Sequence, residues 1–125
     1  VNRALVLYAH GSRDPQWAAP LERIRAQISA HVPDLAIEIA FLELQAPILK
    51  DVVSRVVKAG ARTIQIMPMF LGQGGHLRRD VAERVAAVAA AHPDVKIMQL
   101  ESLGESEVLL AAIAQTVAAQ VAPPP

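Results

Sequence analysis

The 125-residue chain contains no cysteine, which removes disulfides, thiolate metal sites and a cysteine nucleophile together. Aromatic residues are scarce at 3%, against a hydrophobic fraction of 53%, so the core has to be built from Val, Ile, Leu and Ala. Neither sign of charge is in excess. Lys+Arg and Asp+Glu are each 12, so nothing in the balance points to general affinity for nucleic acid or an acidic membrane, and an anion would have to meet a local basic cluster. No Walker sequence is present, so no nucleotide is implied. No apolar run is long enough to span a bilayer. The longest uncharged stretch, residues 108–125, is interrupted by Gln115, Thr116 and Gln120 and ends in prolines. No basic-then-apolar leader precedes the first apolar run. From these features a cytoplasmic location is expected, and the lack of cysteine fits a reducing compartment. They fit one domain over residues 1–125, with residues 122–125 as a frayed tail.

What is present is an alternation of two patterns. Short apolar runs without polar alternation, as in strands of a parallel sheet covered on both faces, occupy Ala4–Ala9, Ala36–Leu42 and Thr63–Met67. A more polar run, Val95–Leu100, suits a sheet edge. Between them lie helical stripes. The first is capped by Asp14-Pro15 and carries Trp17, Leu21, Ile24 and Ile28. The second starts at Pro47, carries Ile48, Leu49, Val52, Val53, Val56 and Val57, and stops at Gly60. The third carries Leu77, Val81, Val85 and Val88. The last follows a capping-box pattern, Ser102-x-x-Glu105, and carries Val108, Leu109, Ala112, Ile113 and Val117. Roughly four βα units predict a three-layer, doubly wound α/β fold. Its sheet is expected to be parallel and four-stranded, in the flavodoxin-like order 2-1-3-4. His31-x-Pro33-Asp34 and His92-Pro93-Asp94 form a weak internal echo, each preceding a strand that ends near a glutamate, Glu43 or Glu101.

In such a sheet, ligands bind beyond the carboxyl ends of the strands where the order reverses, between strands one and three. His10 closes strand one, Glu43 follows strand two, and His76 ends the turn Pro68-Met69-Phe70-Leu71-Gly72-Gln73-Gly74-Gly75 after strand three. Two imidazoles and a carboxylate suit a borderline divalent cation such as Co²⁺, Fe²⁺, Ni²⁺ or Zn²⁺. So few strong ligands suit transient delivery better than storage. Gly72, Gly74 and Gly75 allow close backbone approach and aim helix N–H groups at the crevice. Asp80, one turn after His76, is placed to orient its ring. Arg13, Arg78 and Arg79 flank the turns and suit substrate carboxylates.

The pair His10-Gly11-Ser12-Arg13-Asp14 and Phe70-Leu71-Gly72-x-Gly74-Gly75-His76-x-x-x-Asp80 resembles the short-form sirohydrochlorin chelatases, from about Ala4 to Val121. These class II chelatases are lyases that insert Co²⁺, Fe²⁺ or Ni²⁺ into sirohydrochlorin for cobalamin, sirohaem or a nickel tetrapyrrole. The resemblance implies that His10 and His76 handle the metal and that Glu43 matches an acidic site residue. Catalysis is thus expected from His10, Glu43 and His76, and substrate binding from Ser12, Arg13, Gly74, Gly75 and Arg78. It further implies a sirohydrochlorin-type tetrapyrrole partner, the metal as substrate with no organic cofactor, and a homodimer in which two lobes enclose one macrocycle. Unlike some relatives, the chain has no histidine-rich tail or loop, which weighs against nickel and metal storage.

Other readings attach to the same residues. A histidine-dependent phosphotransferase would phosphorylate His10, but Ala9 stands where such enzymes place a phosphate-clamping arginine. A metal carrier, or a phosphate-binding module using residues 72–75, is a non-catalytic alternative. His31 and His92 fall at helix C-termini, where a partly cationic ring suits the dipole. Asp14 reads as a cap, Glu101 as a cap or surface group, and Trp17, Met67 and Met69 as core.

Overall fold

The structure, a computed structural model, describes residues 2–123. Strands β1 (Arg3–Ala9), β2 (Ala36–Phe41), β3 (Thr63–Pro68) and β4 (Lys96–Gln99) form one parallel sheet in the order β2-β1-β3-β4. Helices α1 (Ala19–His31), α2 (Leu49–Lys58), α3 (Gly75–Ala91) and α4 (Glu107–Val121) connect or follow the strands. The expected fold and strand order are therefore present. The frayed tail expected over residues 122–125 lies partly outside the described residues.

The two faces of the sheet are packed differently. On one, Val6, Tyr8, Ile64 and Ile66 lie against Leu49, Val52, Val53 and Val56 of α2 and Val81, Val85 and Val88 of α3. This is the aliphatic core that the composition demanded, and truncating Ile64 or Ile66 to Ala would cost about 2–5 kcal/mol. On the other face, Leu7, Ala9, Ile37, Ile39 and Phe41 meet Leu21 and Ile28 of α1, with Met67 and Met69 packed at the margin. β4 is short and half-exposed at its edge, as its Lys96 and Gln99 predict. At the opposite edge, Arg25 donates to the Ile37 carbonyl and pairs with Glu38, which also pairs with Arg55, so charge blunts β2.

Several boundaries differ from the sequence reading. Asp14 does cap, accepting from the Gln16 N–H, but the turn it caps is a 3-10 turn over Pro15–Ala18 and α1 starts at Ala19. α2 begins at Leu49 rather than Pro47, and Ile48 stays outside the buried stripe as its extended N-cap. The Ser102-x-x-Glu105 pattern does not cap α4. The Ser102 hydroxyl donates to the Phe70 carbonyl at 2.7 Å, and Ser106 caps the helix by accepting from the Leu109 N–H. Gly60 has φ +110° and ends α2 as expected. His31 Nδ1 donates to the Gln27 carbonyl at 2.8 Å within its own last helical turn, and His92 is the C-cap of α3.

Tyr8 is fully buried, and its hydroxyl has no hydrogen-bond partner among the described residues. Burial pushes its phenol above the ordinary value, opposed by the nearby Arg84 guanidinium and reinforced by Asp80. The folded state therefore holds this proton more tightly than the unfolded chain. The resulting sign is that stability is untouched by Tyr8 below a pH of about 10 and declines above it. Tyr8 is the sole tyrosine. Tyrosinate absorbance should consequently rise at higher pH in the folded protein than in denaturant. Tyr8→Phe should change neutral-pH stability by no more than about 1 kcal/mol, read by urea unfolding.

Candidate functional site

All four strands point their carboxyl ends to one edge of the sheet, and β1 lies between β2 and β3. The ladder runs past the strands themselves. The Leu42 N–H donates to the Ala9 carbonyl at 2.8 Å and the Glu43 N–H to the His10 carbonyl at 3.1 Å. His10 and Glu43 are thereby held side by side, and His10 Nε2 meets Glu43 Oε1 at 2.8 Å with both side chains half-exposed. A carboxylate can only accept here, so Nε2 carries the proton in this arrangement. On the far side, the Arg84 Nη1 donates to the Leu42 carbonyl at 2.9 Å and ties α3 to the end of β2.

Gly11 makes this approach possible. Its φ is +99°, and a Cβ there would lie 2.0 Å from the Glu43 carbonyl oxygen. The next turn is just as tight, because Leu44 adopts φ +67°. A non-glycine residue in that region bears local strain. The Ser12 N–H donates to Gln45 Oε1 at 3.1 Å, joining the turn after β1 to the turn after β2. The Ser12 hydroxyl accepts from the Asp14 N–H, so it is already engaged in the turn.

The turn after β3 is fixed from a direction the sequence reading missed. The Met69 N–H donates to the Tyr8 carbonyl, and the Phe70 carbonyl accepts from both the Ser102 hydroxyl and the Gly104 N–H. A Cβ on Gly104 would lie 1.6 Å from the Leu71 carbonyl oxygen, so this crossing needs glycine. The signal was slight: one glycine in Leu103-Gly104-Glu105, and a serine that reads as a cap.

Gly74 is the N-cap of α3 in an extended conformation, Gly75 the first helical residue and His76 the second. His76 is exposed at the helix N-terminus. Among the described residues, no three His, Asp or Glu side chains form a metal-sized cluster, and Asp80 makes no ion pair with His76. Asp80 instead acts on the Tyr8 phenol on the α2–α3 side of the sheet. Arg78 reaches Glu105 at 4.0 Å with both groups largely exposed, while Arg13 and Arg79 are exposed.

Beside His10 lies an apolar groove of about 420 Å³, lined by Trp17, Leu21, Met69, Phe70 and Leu71 among others. Trp17 is 54% exposed, so it is groove wall and not core. The 3-10 turn is the reason: it carries the indole ahead of the α1 stripe and leaves it above His10. Leu71 is also exposed, and Met69 both packs on the sheet and lines the groove. An apolar cleft bordered by a polar pair is the usual make-up of a small-molecule site.

The family model described as CbiX matches residues 4–120. The chain belongs to the CbiX family. A sirohydrochlorin ferrochelatase of Bacillus subtilis is 33% identical over 117 residues, which is 90% of this chain and 43% of that protein. Among solved structures, a CbiX protein of Marinobacter aquaeolei VT8 ascribed to cobalamin (vitamin B12) biosynthesis superposes with a TM-score of 0.81 at 31% identity. The match covers 95% of this chain and 97% of that one. The sirohydrochlorin chelatase SirB from Bacillus subtilis subspecies spizizenii, in complex with cobalt, gives the same TM-score at 28% identity over 98% of this chain and 52% of its own. The chain thus spans about half the length of these longer CbiX-family relatives.

Gly11→Ala should remove the close crossing at Glu43. The expected loss is about 2 kcal/mol or more, from left-handed strain plus the collision, and it should be read as a drop of several degrees in Tm. The same variant should lose the His10–Glu43 pair, seen as a shift of the His10 ring resonances.

Proposed function

We propose that this chain is a metal chelatase that inserts a divalent cation, Co²⁺ or Fe²⁺, into sirohydrochlorin. The observation that carries the reading is the His10–Glu43 pair, 2.8 Å apart, at the rim of an apolar groove on the carboxyl edge of the sheet. The relatives named as sirohydrochlorin ferrochelatase and chelatase add the substrate class. The role rests on one domain, and the absence of cysteine suits a reducing cytoplasm.

Insertion removes two pyrrole N–H protons and replaces the ligands of the incoming cation with four ring nitrogens. A neutral imidazole can ligate the metal or accept a proton, and a carboxylate hydrogen-bonded to it can take the proton onward. His10 and His76 receive the metal-handling role. His10 and Glu43 form the proton-accepting couple, with the ring turned by the carboxylate. Sparse ligation favours release of the cation into the macrocycle, because a closed cage of four strong ligands would keep it. Trp17, Met69 and Leu71 offer the apolar surface on which a flat macrocycle rests. The backbone at Gly74 and Gly75 and the side chains of Ser12, Arg13 and Arg78 border the same edge. The two arginines are suited to the peripheral carboxylates of the substrate. Two copies of the chain are assigned to one tetrapyrrole, in place of the two lobes of a double-length relative. Cobalt and iron are preferred as metals, with nickel third for want of a histidine-rich segment.

The test follows the absorption spectrum of sirohydrochlorin on addition of Co²⁺ or Fe²⁺. The protein should accelerate insertion over the spontaneous rate, and an unaltered rate would overturn the reading. His10→Ala and His76→Ala should each lower the catalysed rate by roughly 10²-fold or more with the circular dichroism unchanged. Glu43→Gln, which keeps a hydrogen bond to His10 but takes up no proton, should lower it by about 10-fold. Full activity in His76→Ala would remove His76 from the mechanism.

A further inference from the structure

On the α2–α3 face of the sheet lies a second cavity, of about 370 Å³. It shares no lining residue with the groove beside His10. At about 30 Å³ per water it has room for about a dozen waters, and its volume falls in the range of small-molecule sites.

The cavity reaches down to Tyr8, a residue that is fully buried and whose hydroxyl has no hydrogen-bond partner among the described residues. The Arg84 guanidinium acts on this phenol and lines the same cavity, so the hydroxyl end of the ring is the end that faces it. Burying a hydroxyl without a partner is unfavourable. Protein atoms close off the other directions, which leaves the cavity as the route by which an acceptor arrives.

The charge around the cavity has one sign. Arg84, Lys50 and His92 line it, and no aspartate or glutamate does. Neither Arg84 nor Lys50 is in an ion pair among the described residues. Arg84 Nη1 is held by the Leu42 carbonyl, which fixes the guanidinium and leaves its other N–H groups for a further acceptor. Leu49 and Lys50, also lining residues, open α2, and no side chain caps that end. The positive end of the helix dipole therefore adds to the field. Asp80 is the one carboxylate that acts on Tyr8, and it does not line the cavity.

The walls are apolar, formed by Leu49 and Val88 among others. A strongly hydrated dianion such as inorganic phosphate would lose its water against such walls and find few donors in return. A single carboxylate suits the donors better. It is acceptor-only, matches the planar fork of a guanidinium, and can accept from a phenol at the same time.

We propose that the α2–α3 cavity is a binding site for a small organic monocarboxylate. The carboxylate accepts from the Tyr8 hydroxyl and the Arg84 guanidinium, and the apolar body of the ligand lies along Leu49 and Val88. The site goes beyond the chelatase reading and does not depend on it.

The test uses 4-phenylbutyrate as probe, with 4-phenylbutanol as its uncharged counterpart and inorganic phosphate as an anion without an apolar body. Calorimetry on the full chain should give a Kd of about 1 mM or tighter for the acid. The alcohol and phosphate should each bind at least about tenfold more weakly. In nuclear magnetic resonance spectra the acid should shift the Tyr8 ring signals and the Leu49 and Val88 methyls. Tyr8→Phe removes only the hydroxyl and should weaken binding by about tenfold. Ala87→Leu fills the cavity from an exposed helical position and should abolish binding with the circular dichroism unchanged. His10→Ala should bind the acid as the wild type does. The proposal is overturned by an absence of binding, by equal affinity for acid and alcohol, or by shifts confined to Trp17 and Leu71. Undiminished affinity in Tyr8→Phe or in Ala87→Leu would overturn it as well. A wild type that binds the acid here but inserts no metal would defeat the chelatase reading alone, whereas one that inserts metal but binds no acid would defeat this site alone.

Discussion

The structure depends on the backbone ladder of β1 continuing past the end of the strand on both sides. Toward β2 it runs through the Ala9 and His10 carbonyls to Leu42 and Glu43, and toward β3 through the Tyr8 carbonyl to Met69. Each bond contributes about 1 kcal/mol net. Their importance is positional. They carry the precision of a parallel sheet one or two residues into what would otherwise be loops, so the His10–Glu43 contact is set by sheet register. That continuation tolerates no side chain at residue 11, where the backbone passes over the Glu43 carbonyl. The Gly104 crossing against Leu71 plays the same part for the turn after β3.

The packing is lopsided, and the site lies where the two regimes meet. One face of the sheet has a dense aliphatic core under α2 and α3, with several residues at or near zero exposure. The other is covered by α1 over β1 and β2 only. The dense face holds the carboxyl edge rigid. The sparse face leaves Trp17 and Leu71 as exposed apolar walls beside His10 and leaves α4 without a bed. Low aromatic content sharpens this: Tyr8 and Phe41 are buried and Phe70 nearly so, while Trp17 stands out at the groove. A large flat ligand and a second protein surface both suit such an arrangement, because each adds apolar cover that the chain does not supply for itself.

The sequence alone determined the succession of strands and helices and the parallel sheet, whereas the 2-1-3-4 order, expected by likeness to flavodoxin-like sheets, was decided by the backbone pairing. Uninterrupted apolar runs alternating with 3.6-period stripes leave few other solutions. It also marked His10, Glu43 and His76 as strand-end and turn residues, because strand ends are where helical or strand periodicity stops and a polar group appears. Tertiary structure alone decided which of these meet. His10 and Glu43 touch because two strands far apart in sequence share a register. His76 sits one residue inside a helix whose start is set by Gly74, and no periodicity carries that geometry. Trp17 read as core because its spacing fits the α1 stripe, yet a 3-10 turn rotates it out of that stripe. Ser102 read as a cap because the pattern was right locally, but a carbonyl 32 residues away in sequence outcompeted the helix end for its hydroxyl. Val108 and Val117 read as a buried stripe for the same reason. Periodicity reports that a helix has an apolar face, and only the assembled fold determines whether its own chain provides something to bury it against.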